Sequence, residues 1–183
     1  VNINLFVMEG AVDILQERID IAFQSAGSVH PGYVARKIGT CFNVLCASPL
    51  YLEKNGYPQT PQDLTLHRTI LNPYFNQLWQ FQKHGKCVEV AVNGNFYCNN
   101  ASISLDATLK DMGISILPSY AVKKYIQNGR LIKLLPDWKI DDFDITAITD
   151  TRHLSILVRT FLDFVKTELQ ALNAIKEEEP PII

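Results

Sequence analysis

An α/β fold with largely parallel sheets is what this sequence predicts, on three observations. Stretches with strand periodicity alternate with stretches of helical periodicity, the connections between them are short, and no internal repeat or low-complexity tract interrupts the series. At 183 residues, 47% hydrophobic and 20% charged, with 9 Gly and 9 Pro, the composition is that of a globular chain in one domain or two small lobes.

The series opens at Val1 to Val7, where Ile3, Leu5 and Val7 alternate with Asn2 and Asn4, the period-two pattern of a strand with one polar face. A short helical stretch from Ala11 to Arg18 leads into a second strand at Ile19 to Phe23, which makes a compact βαβ unit with a right-handed crossover. After a loop, Cys41 to Ala47 reads as a strand. It meets Ser48-Pro49, an N-cap followed by proline at the first helical position, and Gly56 closes that helix. Thr60-Pro61-Gln62-Asp63 repeats the start signal, with an acid placed to reach back to the cap amide. Ile70-Leu71 and Trp79 to Phe81 read as short strands, and Cys87 to Cys98 as a long β segment bent at Asn93-Gly94. A helix from Ser102 to Asp111 stops at Gly113, and Ile114 to Leu117 is a buried strand ended by Pro118. Ser119 caps a helix that Gly129 ends, Leu131 to Leu135 and Asp144 to Thr149 are strands, and Ser155 to Leu172 is the final helix. Its Leu157, Val158, Phe161, Phe164, Val165, Leu169 and Leu172 form one apolar stripe expected to face a sheet. Residues 173–183 form an acidic tail, with Glu177 to Glu179 before two prolines.

Charge and motif content narrow the function. A net charge of −2 argues against a surface that binds phosphate backbones unaided. No apolar run approaches the ~20 residues of a membrane span, and the first residues lack a secretory signal, so a cytoplasmic location is expected. Cys41, Cys46, Cys87 and Cys98 show no C-x-x-C and no metal-ligand spacing with histidine, so no metal is expected. They read as reduced and mostly buried, Cys41 and Cys46 pointing to opposite faces; the alternative is one reactive thiol. His30, His67, His84 and His153 are scattered outside any catalytic motif, and Gly-rich phosphate loops are missing. Neither an enzyme nor a bound cofactor is expected.

The ordered segments Arg18-Ile19-Asp20-Ile21-Ala22-Phe23, Val44 to Leu52 with its Ala47-Ser48-Pro49, Gly113 to Pro118, Gly129-Arg130-Leu131, Leu135-Pro136-Asp137-Trp138 and Arg152-His153-Leu154-Ser155 leading into Phe161 to Phe164 together carry a likeness. In this order and spacing the chain resembles the C-terminal effector-binding domain of LysR-type transcriptional regulators, from Val1 to about Leu169. The resemblance implies a two-lobed fold of the type 2 periplasmic-binding-protein kind, with lobe I at 1–38 plus 148–172, lobe II at 40–144, and crossing points near Gly39-Thr40 and Asp144-Ile145. The strand, loop and long helix that open the family domain are not in this sequence, so lobe I is expected to be incomplete, with an exposed sheet edge and apolar helix stripe that invite self-association.

What the resemblance implies for function is a small-molecule effector in the inter-lobe cleft, dimeric or tetrameric assembly, and DNA contact only through a helix-turn-helix outside this sequence. The cleft draws on strand ends and helix N-termini, which favour anions. Asn99 and Asn100, at a helix start, fit best as amide donors beside the N–H groups of Ala101 and Ser102, with a plain N-cap the compatible alternative. Met8 and Glu9 end one strand, Phe23 and Gln24 end the next, and Thr149 ends the last; Tyr74 and Phe75 would form an aromatic wall, unless they serve only packing. Organic acids are among the candidate effectors, though Glu9 disfavours a purely acidic one; Glu9 reads equally as a solvated turn acid. The alternative function is a transporter's solute-binding protein of the same architecture, whose oxidising compartment suits these cysteines poorly.

Overall fold

The computed structural model describes residues 2–7, 13–25, 29–72, 77–172 and 175. In chain order the strands are β1 (Ala22–Gln24), β2 (Val34–Cys41), β3 (Asn43–Ala47), β4 (Thr69–Leu71), β5 (Leu78–Lys83), β6 (Lys86–Ala91), β7 (Gly94–Tyr97), β8 (Ile114–Pro118), β9 (Ile132–Lys133), β10 (Lys139–Ile140) and β11 (Phe143–Thr149). The helices are α1 (Pro49–Asn55), α2 (Ala101–Leu109), α3 (Ser119–Gln127) and α4 (Ile156–Ala171), with a 3-10 turn at Pro61–Leu66. Two units result: Val1–Thr40 with Phe143–Ile183, and Cys41–Asp142.

In the second unit a five-stranded sheet, ordered β7-β4-β8-β3-β9, shares a core with the small sheet β10-β5-β6. Strand alternation divides the side chains of β3 between two layers. Leu45 and Ala47 join Tyr51, Leu52, Trp79, Phe81 and Val90 on one face, while Cys46 packs with Leu117, Val122 and Leu131 beneath α2 and α3 on the other. The expectation of largely parallel sheets is corrected. β4 runs parallel to β7 and β8, but β8 and β9 both run antiparallel to β3, and β5 is antiparallel to β6 and β10. Strands joined by a lone crossover helix run the same way, as β7 and β8 do through α2 and β8 and β9 through α3. Between β3 and β4 stand both α1 and the 3-10 turn, which adds one more chain reversal and sends β4 the opposite way.

The start signals at Ser48 and Thr60 act as read. The Ser48 hydroxyl accepts the Tyr51 amide at 3.2 Å, Gly56 closes α1 at φ 87°, and the Asp63 carboxylate accepts the amides of Gln59 and Thr60 at 2.8 Å each. Those amide bonds hold the Asp63 carboxyl below its ordinary value. Leu131 to Leu135 shortens to the two-residue β9, and the segment from Cys87 to Cys98 is two strands. Ser119 is the first residue of α3 rather than its cap; Pro118 occupies the cap position and offers no side-chain bond. At the β5–β6 turn His84 and Gly85 both adopt positive φ, 49° and 75°, the conformation of a two-residue hairpin.

Gly113 is needed for space. A Cβ there would lie 2.6 Å from the Arg68 carbonyl oxygen, at the point where the Ile114 amide bonds that same oxygen at 2.9 Å. Nearby, the buried Tyr51 hydroxyl accepts the Arg68 amide at 2.9 Å and meets His67 Nδ1 at 3.2 Å, which ties α1 to the entry of β4.

The first unit departs further from expectation. Residues 2–7 form no strand, and Ile3, Leu5, Phe6 and Val7 are all exposed; alternation makes a strand only where a neighbour takes up its hydrogen bonds, and none among the described residues does. The helix expected over 11–18 is, within the described residues 14–18, a turn capped by Asp13 and reversed by Arg18 at φ 55°. The βαβ unit predicted there is therefore not formed among the described residues. The sheet is β1-β11-β2, with β1 antiparallel to β11. Ser155 caps α4 through the Val158 amide at 3.2 Å, but only Leu162 of that helix is buried; Leu157, Phe164 and Leu172 are more than half exposed. The stripe is wider than the described part of this unit covers. Cys41 and Cys46 are buried, as expected, but Cys87 is exposed on β6 and Cys98 half-buried, and all four are free thiols. Phe42 separates β2 from β3, so Cys41 and Cys46 belong to different strands.

Two outcomes test this packing. Gly113→Ala should lower unfolding stability by about 1–3 kcal/mol, because backbone rather than a flexible side chain must move; an unchanged denaturant midpoint would refute the close approach. Burial holds the His67 imidazole below its ordinary value of 6.5, so the folded chain resists protonation more than the unfolded one does. The His67 contribution is complete above that pH and declines as pH falls through it, since the unfolded chain then binds the proton first. The denaturant midpoint should drop between about pH 7.5 and 5.5 in the native sequence and drop less in His67→Gln; equal drops would exclude His67 as the source.

Candidate functional site

Strand direction determines where the second unit can hold a ligand. β4, β7 and β8 run the same way, so their carboxyl ends at Leu71, Tyr97 and Pro118 line one edge of the sheet. Ligands of open α/β sheets bind at that edge. The residues that follow are Asn72, Cys98 to Asn100, and Ser119, and the nine-residue helices α2 and α3 both start there.

Asn100 is the N-cap of α2. Its side-chain oxygen accepts the amides of Ser102 at 2.9 Å and Ile103 at 3.2 Å. The cradle expected around Asn100 is corrected to that extent, because the cap consumes the Ser102 N–H; the Asn100 Nδ2 group and the Ala101 N–H are the donors the cap does not use. Cys98 shapes the turn before it, its sulfur accepting the Asn100 amide at 3.4 Å and donating to the Asn100 carbonyl at 3.6 Å. Asn99 is half-buried beside it. The Ser119 amide donates to the Phe42 carbonyl at 2.9 Å, while its hydroxyl oxygen is buried without a partner among the described residues.

In the first unit Phe23 and Gln24 lie on β1, opposite Ala147 and Thr146 of β11. Phe23 is 42% exposed and Gln24 half-buried. Thr149 stands three residues further along β11 than the partner of Gln24, roughly 10 Å away along the strand. It is 1% exposed, and its hydroxyl accepts Arg36 Nη1 at 2.5 Å and donates to the Thr151 carbonyl at 2.9 Å. Thr149 thus has a structural role, its hydroxyl engaged on both sides. Arg36 also bonds the carbonyls of Thr151 and Arg152, so it fixes the turn after β11. Sequence reasoning overlooked Arg36; its signal was an arginine on the inward phase of Val34-Ala35-Arg36-Lys37-Ile38, between two apolar residues at period-two spacing. Met8, Glu9, Tyr74 and Phe75 lie outside the described residues. Among the described residues no group of three or more His, Cys, Asp or Glu is placed to hold a metal ion, and no helix is long and apolar enough to cross a membrane.

Two α/β units, the second with a mixed five-stranded sheet that presents helix starts and amides at its carboxyl edge, define a class of ligand-binding domain. The family described as the LysR substrate binding domain matches residues 1–170, and the chain belongs to it. A probable HTH-type transcriptional regulator, LtrA of Klebsiella pneumoniae, is 28% identical over 95% of this chain and 58% of its own length. An uncharacterized HTH-type transcriptional regulator of Escherichia coli, YhjC, is 32% identical over 84% of this chain and 53% of its own. Among solved structures, the full-length Vibrio cholerae virulence activator AphB is similar with TM-score 0.76 and 26% identity, covering 92% of this chain and 58% of that one. The regulatory domain of CrgA, a LysR-type transcriptional regulator from Neisseria meningitidis, gives TM-score 0.76 at 25% identity, covering 88% of this chain and 81% of that one. The chain spans little more than half the length of these full-length relatives, which are transcription regulators and not transport proteins.

If Asn100 acts first as a cap, Asn100→Ala should cost about 1 kcal/mol of stability and Asn100→Asp little, since aspartate caps equally well. Equal losses in thermal unfolding would show that the cap bonds do not stabilise α2.

Proposed function

We propose that this chain is the effector-sensing domain of a LysR-type DNA-binding transcription regulator. The observation that carries the reading is the family match over residues 1–170, joined by likeness to the regulatory domains of such regulators. In this reading the two units are the two lobes, and the candidate contacts of a small molecule are Asn99 and Asn100, Phe23 and Gln24, with Met8, Glu9, Tyr74 and Phe75 completing the set. Amide donors and helix starts suit a carboxylate or a hydroxyl, so organic acids are the first candidates. The effector shifts a population of assembled states, dimers or tetramers, and so changes how helix-turn-helix segments elsewhere in the protein sit on DNA. No catalytic step belongs to this function, and its location is the cytoplasm.

The full-length protein should enrich specific fragments from a library of its own genome's DNA and protect them in a footprinting assay. A panel of small organic acids, alcohols and amines should contain a compound that raises its melting temperature saturably, as ligand binding to the folded state requires. Absence of protection would remove the regulator reading. A saturable shift that is equally large in a variant with Asn99→Ala and Gln24→Ala would move the site away from these residues.

A further inference from the structure

Glycine inside a strand forgoes side-chain packing and marks a bulge or the close approach of another part of the chain. Gly39 of β2 is such a residue, and no positive φ accounts for it. A Cβ built there would lie 2.5 Å from Ile175 Cδ1, 2.7 Å from its Cβ and 3.0 Å from its Cγ1. Because the Ile175 Cβ is among these atoms, turning the end of that side chain would not relieve the clash, and the backbone of one segment would have to withdraw. Burial agrees on both sides of the contact. Ala35 and Lys37, which share a face of β2 with Gly39, are exposed, and burial on that face begins at Gly39. Leu172, at the end of α4, is 60% exposed, whereas Ile175, three residues on, is 5% exposed. Both partners belong to the first unit.

We propose that Gly39 is a notch for Ile175, and that this knob fastens the acidic segment 173–183 as a strap on the outer strand of the sheet β1-β11-β2. The composition of the segment fits a single fastening point. Ile175 is its one large apolar residue before Pro180, and Lys176 and Glu177 to Glu179 follow it as a charged run with nothing apolar to bury. A segment held at one point is freed when that point opens, so docked and free forms exchange without unfolding of the sheet beneath. The glycine is kept in mid-strand because any side chain there would fill the notch. The inference concerns the first unit alone and stands whether or not the effector reading does.

Digestion of the full-length protein with a glutamate-specific protease tests it, since cleavage after Glu177 and Glu178 follows the population in which the segment is free. Ile175→Ala should speed that cleavage about tenfold, and Ile175→Val less, in step with the buried methyl groups removed. Cleavage after Glu168, inside α4, should stay unchanged. Gly39→Ala should speed release as well. The double variant, Gly39→Ala with Ile175→Ala, should be no faster than Ile175→Ala alone, because the added methyl occupies space that the isoleucine vacates. Where Gly39→Ala does not fold, the graded effect of Ile175→Val and Ile175→Ala carries the test. Unchanged cleavage in the Ile175 variants overturns the proposal. So does additivity in the double variant, and so does equal acceleration after Glu168, which would make Ile175 an ordinary stabiliser of its unit.

Discussion

The approach of the backbone at Gly113 to the Arg68 carbonyl is the constraint on which the second unit depends. β8 lies between β4 and β3, and its first amide bonds the carbonyl of the residue just before β4. Any side chain at 113 would push the two strands apart where their register is set. With that contact made, β4, β7 and β8 share one direction and their carboxyl ends come level. The Tyr51 hydroxyl secures the other side of the junction through Arg68 and His67. A close backbone approach and a buried phenol together place the edge from which α2 and α3 begin.

That edge illustrates how one residue serves two ends. Asn100 must satisfy the orphan amides of its own helix, and in doing so it turns its oxygen inward and leaves its nitrogen outward. The Cys98 sulfur bonds both the amide and the carbonyl of Asn100, so the turn that presents this side chain is fixed by a thiol that composition alone marks as a small hydrophobe. Thr149 shows the reverse case. Its position at a strand end suggested a ligand contact, yet Arg36 reaches across from the neighbouring strand and takes its hydroxyl.

Local chemistry was the most legible part of the sequence. Ser48-Pro49, Thr60-Pro61 with Asp63, and Ser155 each act at short range, and each produced the cap or start it signalled. Strand direction was not legible: the start at Thr60-Pro61 could be read, but not that the element it opens is a 3-10 turn that reverses the chain again. Residues 2–7 and the stripe of α4 misled for a related reason: periodicity records which face wants a partner, and the partner is a matter of tertiary structure. For the site, Asn100 could be read as cap and donor from sequence, while Arg36 could not be linked to Thr149 across 113 residues of chain.

The four thiols also differ in a way that gives the second unit a built-in clock. Burial pushes Cys46 up to about 12 and Cys41, with Asp142 adding to the effect, up to about 11, whereas Cys87 stands in solvent on β6. A thiol reagent needs the thiolate and a path to it. Cys87 therefore meets the reagent in the folded state, and Cys46 only when β3 parts from β8 and β9. The ratio of their modification rates measures how often the central sheet opens, without any label added to the chain.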